Sequence, residues 1–293
     1  MDDGRHEKDD GRHEKHFSGS GHDTIAVGDL NAVVTLRGHD NVITGGSGDV
    51  FVIGGDSSGG DTITLGDGDD RVLLHGNDHT ITLGGGADDL ALFGNHSTAT
   101  LGDGRDRALV HGNDDTITLG NGNDALGLDG DGNTLALGSG SNTVFLSPHS
   151  SFNTISVGGG TDTIITSAHD HDNTFSLDAS NTSLLLHGQD NLVFINGGTD
   201  SISDSHFPPG TGDDLVLNIG SAGGNVDISH FSAALGTVDL VASLGFATGA
   251  LAAAGVTSDG HGGSMLAFTA GLGSIDFIGV APTLLTAANF NVT

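Results

Sequence analysis

The residues best suited to chemistry in this sequence are aspartates that return at a fixed interval in glycine-rich turns. Asp70, Asp88, Asp106 and Asp124 follow one another every 18 residues, each at the end of a Gly-x-Gly-x-Asp segment, and a weaker copy ends at Asp162. Glycine permits backbone conformations that turn carbonyl oxygens inward, and carboxylates add the hard oxygen ligands that calcium (Ca²⁺) prefers. The spacing therefore predicts Ca²⁺ as the cofactor, with these five aspartates as its side-chain ligands.

A second interpretation of the same residues needs no metal, because Asp and Asn also cap turns. Stacked carboxylates would however repel one another without cations between them. The alternate turns begin His75-Gly76-Asn77 and His111-Gly112-Asn113, and we expect them to lack an acid at the ligand position. Calcium is thus expected on one side of the fold only.

The element that must position these turns is a repeat of 18 residues, clearest from Leu65 to Thr118. Apolar residues alternate with polar ones in the segments between turns, which is the period of a strand. Two facing columns of inward pairs result, and neither can bury itself unless the coils stack. One column runs through Ile25/Val27, Ile43/Gly45, Ile63/Leu65, Ile81/Leu83, Ala99/Leu101, Ile117/Leu119, Leu135/Leu137, Ile155/Val157 and Phe175/Leu177, and the other from Val34/Leu36 to Leu184/Leu186.

The predicted fold is therefore all-β: a right-handed parallel β-solenoid (β-roll) of about ten coils of 18–20 residues with a C-terminal β-rich cap. An antiparallel sandwich also has short strands, but it would not need one turn formula at constant spacing. The predicted divisions are a charged arm at 1–17 built on a tandem Asp-Asp-Gly-Arg-His-Glu-Lys, the coils at 18–205, and the cap at 206–293. The arm is either flexible or docks on a neighbouring subunit.

The turns resemble the RTX family (hemolysin-type calcium-binding repeats), whose nonapeptide is Gly-Gly-x-Gly-x-Asp-x-apolar-x. The resemblance covers Leu65 to Asp162 and departs where Leu65, Leu83, Leu101 and Leu119 replace the first glycine. The end of the chain is also similar to the family's terminal module, in the segments Val226–Phe231, Gly271–Ile278 and Leu284–Thr293. That likeness implies an uncleaved C-terminal signal, the type I secretion machinery as partner, and an extracellular or cell-surface location.

Composition narrows the possible partners. The chain has 8 Lys and Arg against 38 Asp and Glu, a net charge of −30, so we expect no nucleic acid partner and no binding to anionic membranes. No apolar run reaches the roughly 20 residues of a membrane span, and no N-terminal signal-peptide core is present. Nucleophile elbows, phosphate loops and cysteines are missing, which predicts that the protein is not an enzyme.

Two outward-facing rows complete the prediction. Hydroxyl pairs that resemble the ice-binding faces of some β-solenoids lie at Thr62, Thr64, Thr80, Thr82, Thr98, Thr100, Thr116 and Thr118. An outward apolar row suited to self-association, or alternatively to cover by the C-terminal module, lies at Ile53, Leu73, Leu109, Phe145, Ile165 and Leu185. We expect a secreted, non-enzymatic structural element that assembles with copies of itself as a fibre, surface layer or biofilm-matrix adhesive. The alternative is an ice- or glycan-binding module that uses the threonine face.

Overall fold

The computed structural model describes residues 8–9, 15–178, 181–204, 216–234 and 236–293. The chain forms two compact units, residues 1–139 and 140–293. Both consist of stacked parallel coils, and together they make about 12 turns of a β-solenoid, with 49% of residues in strands. The all-β class is confirmed, and the expected ten coils are close to the observed number. Most of the predicted arm lies outside the described residues.

Each coil of the first unit contributes two short strands separated by turns. The strands are β1 Lys8–Asp9, β2 Lys15–Gly19, β3 Thr24–Gly28, β4 Ala32–Leu36, β5 Val42–Gly45, β6 Val50–Gly54, β7 Thr62–Thr64, β8 Arg71–His75, β9 Thr80–Thr82, β10 Asp89–Phe93, β11 Thr98–Thr100, β12 Arg107–His111, β13 Thr116–Thr118, β14 Ala125–Asp129 and β15 Thr134–Leu137.

These strands form two parallel layers. One layer has the order β2-β4-β6-β8-β10-β12-β14, and the other has the order β3-β5-β7-β9-β11-β13-β15. The register places residues 18 positions apart directly over one another, as in Ile81↔Ala99 and Ala99↔Ile117. Among the described strands of the first unit, the antiparallel pair is β1 with β2. The sequence repeat is thus the spatial repeat, because one full wrap of the backbone returns each residue type to the same column.

The second unit has the same architecture, with irregular elements near its end. Its strands are β16 Thr143–Leu146, β17 Thr154–Val157, β18 Thr161–Ile165, β19 Thr174–Asp178, β20 Asn181–Leu186, β21 Leu192–Asn196, β22 Thr199–Asp204, β23 Val216–Ile219, β24 Gly224–Ser229, β25 Thr237–Leu240, β26 Thr257–Ser258, β27 Ser264–Ala267, β28 Gly273–Ile278 and β29 Phe290–Val292. Its helices are α1 Gly249–Gly255 and the 3-10 turns Ala242–Leu244, Thr269–Gly271, Pro282–Leu284 and Ala287–Asn289.

Parallel pairing in this unit extends beyond residue 205. Strand β23 pairs with β21 and β25, and β28 pairs with β24. An antiparallel pairing of β27 with β28 and of β26 with β27 ends one layer. The region expected to be a cap therefore includes further coils of the solenoid.

The core lies between the two layers and consists of the predicted inward residues. Ile63, Ile81 and Ile117 are 0–1% exposed and lie in one file. Of the two glycines at paired inward positions, Gly45 is half-buried and Gly54 is buried. No helix among the described residues has the length and apolar character needed to cross a membrane.

Candidate metal-binding turns

The predicted ligand residues lie at the inner edge of the turns that precede one layer of strands. Asp70, Asp88, Asp106 and Asp124 come immediately before β8, β10, β12 and β14, and their exposed fractions are 1–3%. Side chains alternate along a strand, so the residue that precedes it by one position faces the same way as its inward apolar residues. The strand register thereby places four carboxylates inside the fold, one on each successive coil.

One oxygen of each carboxylate is held by the backbone of the preceding coil. The N–H of Asp70 donates to Oδ1 of Asp88 at 2.8 Å, and the N–H of Asp88 donates to Oδ1 of Asp106 at 2.9 Å. The N–H of Asp106 donates to Oδ1 of Asp124 at 2.9 Å. In the second unit, Asp162 Oδ1 accepts from the backbone N–H of Asn142 at 2.9 Å. This ladder fixes the orientation of every carboxylate.

The second oxygen is different. Oδ2 of Asp70, Asp88, Asp106 and Asp162 is buried and has no hydrogen-bond partner. Buried polar atoms nearly always have partners, because removing them from water is costly unless something replaces the water. A proton, a water molecule or a cation would satisfy each of these four oxygens, which lie at equivalent places in the repeat.

Glycine is required in the same turns by the close approach of neighbouring coils. A Cβ added to Gly84, Gly102 or Gly120 would lie 2.3, 1.8 or 2.1 Å from the carbonyl oxygen of the glycine 18 residues earlier. Carbonyl oxygens therefore face the space between coils. Carboxylate and carbonyl oxygens without nitrogen or sulfur form the donor set that suits Ca²⁺, so the residues present fit the predicted ion.

Burial also changes the acidity of this column. The pKa of Asp88 is raised to about 7, chiefly by desolvation. The nearby negative charges of Asp106 and Asp70 also contribute to this rise. Desolvation likewise raises the pKa of Asp70 and of Asp106 to about 6. Near neutral pH, the carboxyl of Asp88 is therefore partly protonated when no metal is bound, and a bound cation would compete with that proton.

The expectation that the alternate turns lack an acid at the corresponding position is wrong. That position is occupied by Asp61, His79, Ser97, Asp115 and Asn133, all of which are buried. Asp115 Oδ1 accepts from the N–H of Ser97 at 2.7 Å, and desolvation raises the Asp115 pKa to about 6. The signal was present in the sequence: each residue stands one position before an outward threonine or its equivalent, which places it inward.

The threonine row is in register in the first unit. Thr62, Thr80, Thr98 and Thr116 lie in one column, and Thr64, Thr82, Thr100 and Thr118 lie in the next. All eight are exposed or half-buried. The structure therefore brings the predicted hydroxyl pairs together on one face.

The apolar row faces outward in both units. In the first unit Ile53, Leu73, Ala91 and Leu109 are in register, and in the second unit Phe145, Ile165 and Leu185 are in register. Leu109 is 49% exposed and Phe145 is 51% exposed.

A shallow groove of about 270 Å³ lies over Ala91, between Leu73 and Leu109. Arg71, Asp89 and Arg107 also line this groove. In the first unit, the exposed side chain of Leu109 thus lies beside the recess over Ala91.

Comparison of the sequence with protein-family models, with curated proteins and with solved structures returns no match. The resemblance to RTX repeats therefore depends on the motifs themselves. The function is inferred from the geometry of the turns and of the outward faces.

Proposed function

We propose that this protein is a secreted, non-enzymatic, calcium-binding β-solenoid that acts as an extracellular structural element. The observation that supports it best is the file of buried aspartates whose Oδ2 atoms have no partner on successive coils. A stacked-coil fold of this kind buries its repeats against each other and is more often a scaffold than a catalyst.

Calcium binding would make folding of the chain depend on whether it is inside or outside the cell. Metal bound by the folded state alone adds its binding free energy to folding stability. Without the ion, the buried carboxylates of the column oppose stacking, and the overall charge of −30 favours expansion. A chain in low Ca²⁺ inside the cell would stay expanded and fit for export by type I secretion machinery, and it would fold in millimolar Ca²⁺ outside.

Self-association follows from the outward apolar rows. The protruding Leu109 and the recess over Ala91 give the first unit a surface that can be complementary to its own copy. Arg107 and Asp89 at the edge of the recess would pair with their counterparts in an antiparallel arrangement of two copies. Repetition of such contacts would produce fibres, a surface layer or an adhesive matrix.

The test of the calcium proposal is a comparison of the full chain in Ca²⁺, in Mg²⁺ and in chelator, by circular dichroism and thermal unfolding. We expect β-structure and unfolding temperature to rise with Ca²⁺ and to rise less with Mg²⁺, which demands a stricter octahedral geometry. Asp88→Asn should weaken the response to Ca²⁺, and Asp103→Asn is its matched control, because Asp103 is an exposed aspartate in the same turn as Asp106. Equal β-content and equal unfolding temperature in all three conditions would refute calcium binding.

Assembly and export have separate tests. Electron microscopy in millimolar Ca²⁺ should show ordered assemblies of the wild-type protein, and single particles only would contradict the structural role. Expression of the full chain with and without a type I exporter should place it outside the cell only when the exporter is present. Retention inside the cell in both cases would contradict the proposed secretion route.

An ice- or glycan-binding function is the second candidate, and the in-register threonine columns favour it. Its test is thermal hysteresis of the purified protein, with Thr98→Tyr as the disruptive variant. Thr98 is exposed in the middle of the row, so the bulky ring would interrupt the face without entering the core. Hysteresis that is present in the wild type and lost in the variant would favour this function over the scaffold.

A further inference from the structure

A buried pair of ligand-type side chains lies in the turns opposite the calcium column. Asp61 and His79 occupy equivalent positions on successive coils, immediately before the strands that contain Thr62 and Thr80. Both side chains are 0% exposed. Other polar atoms of the pair have ordinary partners: the N–H of His79 donates to Ser97 Oγ at 3.2 Å, and Asp61 Oδ1 accepts from the N–H of Asn41 at 2.8 Å.

The two remaining atoms of the pair face each other without a hydrogen bond. Asp61 Oδ2 and His79 Nδ1 are 3.6 Å apart, and neither has a hydrogen-bond partner. His79 Nε2 lies 3.3 Å from the carbonyl oxygen of His75, which can only accept a hydrogen bond. In the neutral ring the proton is therefore on Nε2, and Nδ1 presents a lone pair to the carboxylate. Two electron-rich atoms face each other in a buried site, an arrangement that positive charge between them would stabilise.

The separation is compatible with a metal ion. A shared proton would place the two atoms roughly 2.8 Å apart, whereas the observed 3.6 Å leaves room for a cation between them. A divalent ion with two bonds of about 2.1 Å spans 3.6 Å at an angle of roughly 120°, close to tetrahedral. Imidazole nitrogen together with carboxylate oxygen is a donor set for d-block dications, whereas Ca²⁺ takes oxygen only.

We propose that Asp61 Oδ2 and His79 Nδ1 supply two ligands of a buried site for a d-block divalent cation, Zn²⁺ being the representative ion. The remaining coordination positions would be taken by water or by turn carbonyl oxygens. The site is chemically independent of the calcium column.

The repeat itself supplies conservative variants. Asn occurs in the same column at Asn41 and Asn133, and Ser occurs there at Ser97. His79→Asn, His79→Ser and Asp61→Asn therefore introduce residues that this position already accommodates. His96→Asn is the matched control, because His96 Nε2 lies 3.6 Å from Asp114 Oδ2, while those two side chains are 63% and 61% exposed.

The experiment measures Zn²⁺ binding to the full-length protein in saturating Ca²⁺, by calorimetry, by the rise in unfolding temperature, and by the visible absorption of substituted Co²⁺. The exposed cluster of His22, His39 and Asp40 provides a background of surface ligands in every variant. We expect the wild type and His96→Asn to share one tight site with a tetrahedral Co²⁺ spectrum. His79→Asn and Asp61→Asn should each lose that spectrum and at least tenfold in affinity.

The proposal is overturned if His79→Asn and His79→Ser bind Zn²⁺ as the wild type does, or if the wild type shows surface binding only. Circular dichroism of each variant confirms that it folds, and His79→Ser repeats the test should His79→Asn unfold. Asp88→Asn, which alters the calcium column, should leave the Zn²⁺ response unchanged. A variant that loses its Ca²⁺ response but keeps tight Zn²⁺ binding would separate the two proposals.

Discussion

Replacement of Asp88 by asparagine should stabilise the metal-free protein at neutral and alkaline pH. Asp88 is 1% exposed, and burial raises its pKa from 3.8 to about 7. The difference corresponds to roughly 4 kcal/mol of folding free energy that is lost when the carboxyl ionises, and neighbouring carboxyls that titrate with it share this amount.

The sign of the pH dependence follows from the raised value. Between pH 3.8 and about 7 the folded state binds more protons than the unfolded state, so stability is highest at the acidic end and falls as pH rises. Asparagine cannot ionise, and its side chain fits the ladder. At the equivalent position of the second unit, Asn142 donates from Nδ2 to Asp162 Oδ1 at 2.9 Å, and an asparagine at position 88 could bond to Asp106 in the same way.

The assay is urea unfolding of the wild type and of Asp88→Asn in chelator, at pH 4 and at pH 8. We expect similar stability at pH 4 and a gain of up to about 4 kcal/mol for the variant at pH 8. In Ca²⁺ at pH 8 the variant should gain less stability than the wild type, because it has lost a carboxylate ligand. Asp103→Asn should change the stability and its pH dependence far less than Asp88→Asn does, since Asp103 is exposed.

Two results would refute this reasoning. One is a variant that is less stable than the wild type in chelator at pH 8, which would mean that the buried carboxylate is adequately stabilised by the polypeptide alone. The other is a stability difference that does not change with pH, which would mean that the carboxyl of Asp88 does not titrate in the folded state.

Three other substitutions test the packing and the surfaces. Ile81→Ala should lower the free energy of unfolding by roughly 2–5 kcal/mol in a denaturant titration, against less than about 0.5 kcal/mol for the exposed Thr82→Ala, because only the first opens a cavity. Gly112→Ala should sharply lower the unfolding temperature, since its Cβ would lie 1.6 Å from a carbonyl oxygen of the neighbouring coil, whereas Gly55→Ala has open space and should be tolerated. Leu109→Asp should abolish assembly in electron micrographs without a change in circular dichroism, and assemblies identical to the wild type would exclude this row as the contact.

The sequence determined the repeat, the two apolar files and the inward position of the aspartates that end the Gly-x-Gly-x-Asp turns. Those features follow from local rules: a strand alternates its side chains, and a fixed period returns like residues to one column. Ile63, Ile81 and Ile117 needed no more than counting to be placed in one buried file.

Only the tertiary structure decided which polar atoms are left without partners. The threonine that follows Asp61, His79 and Asp115 marks each of them as inward-facing in the sequence, but which of their atoms find a partner depends on the coils above and below. The partnerless Oδ2 of Asp88 and Nδ1 of His79 likewise depend on which backbone N–H or carbonyl each neighbouring coil presents. A repeat specifies where a side chain points, but loss of its water and of its partners is a property of the assembled stack.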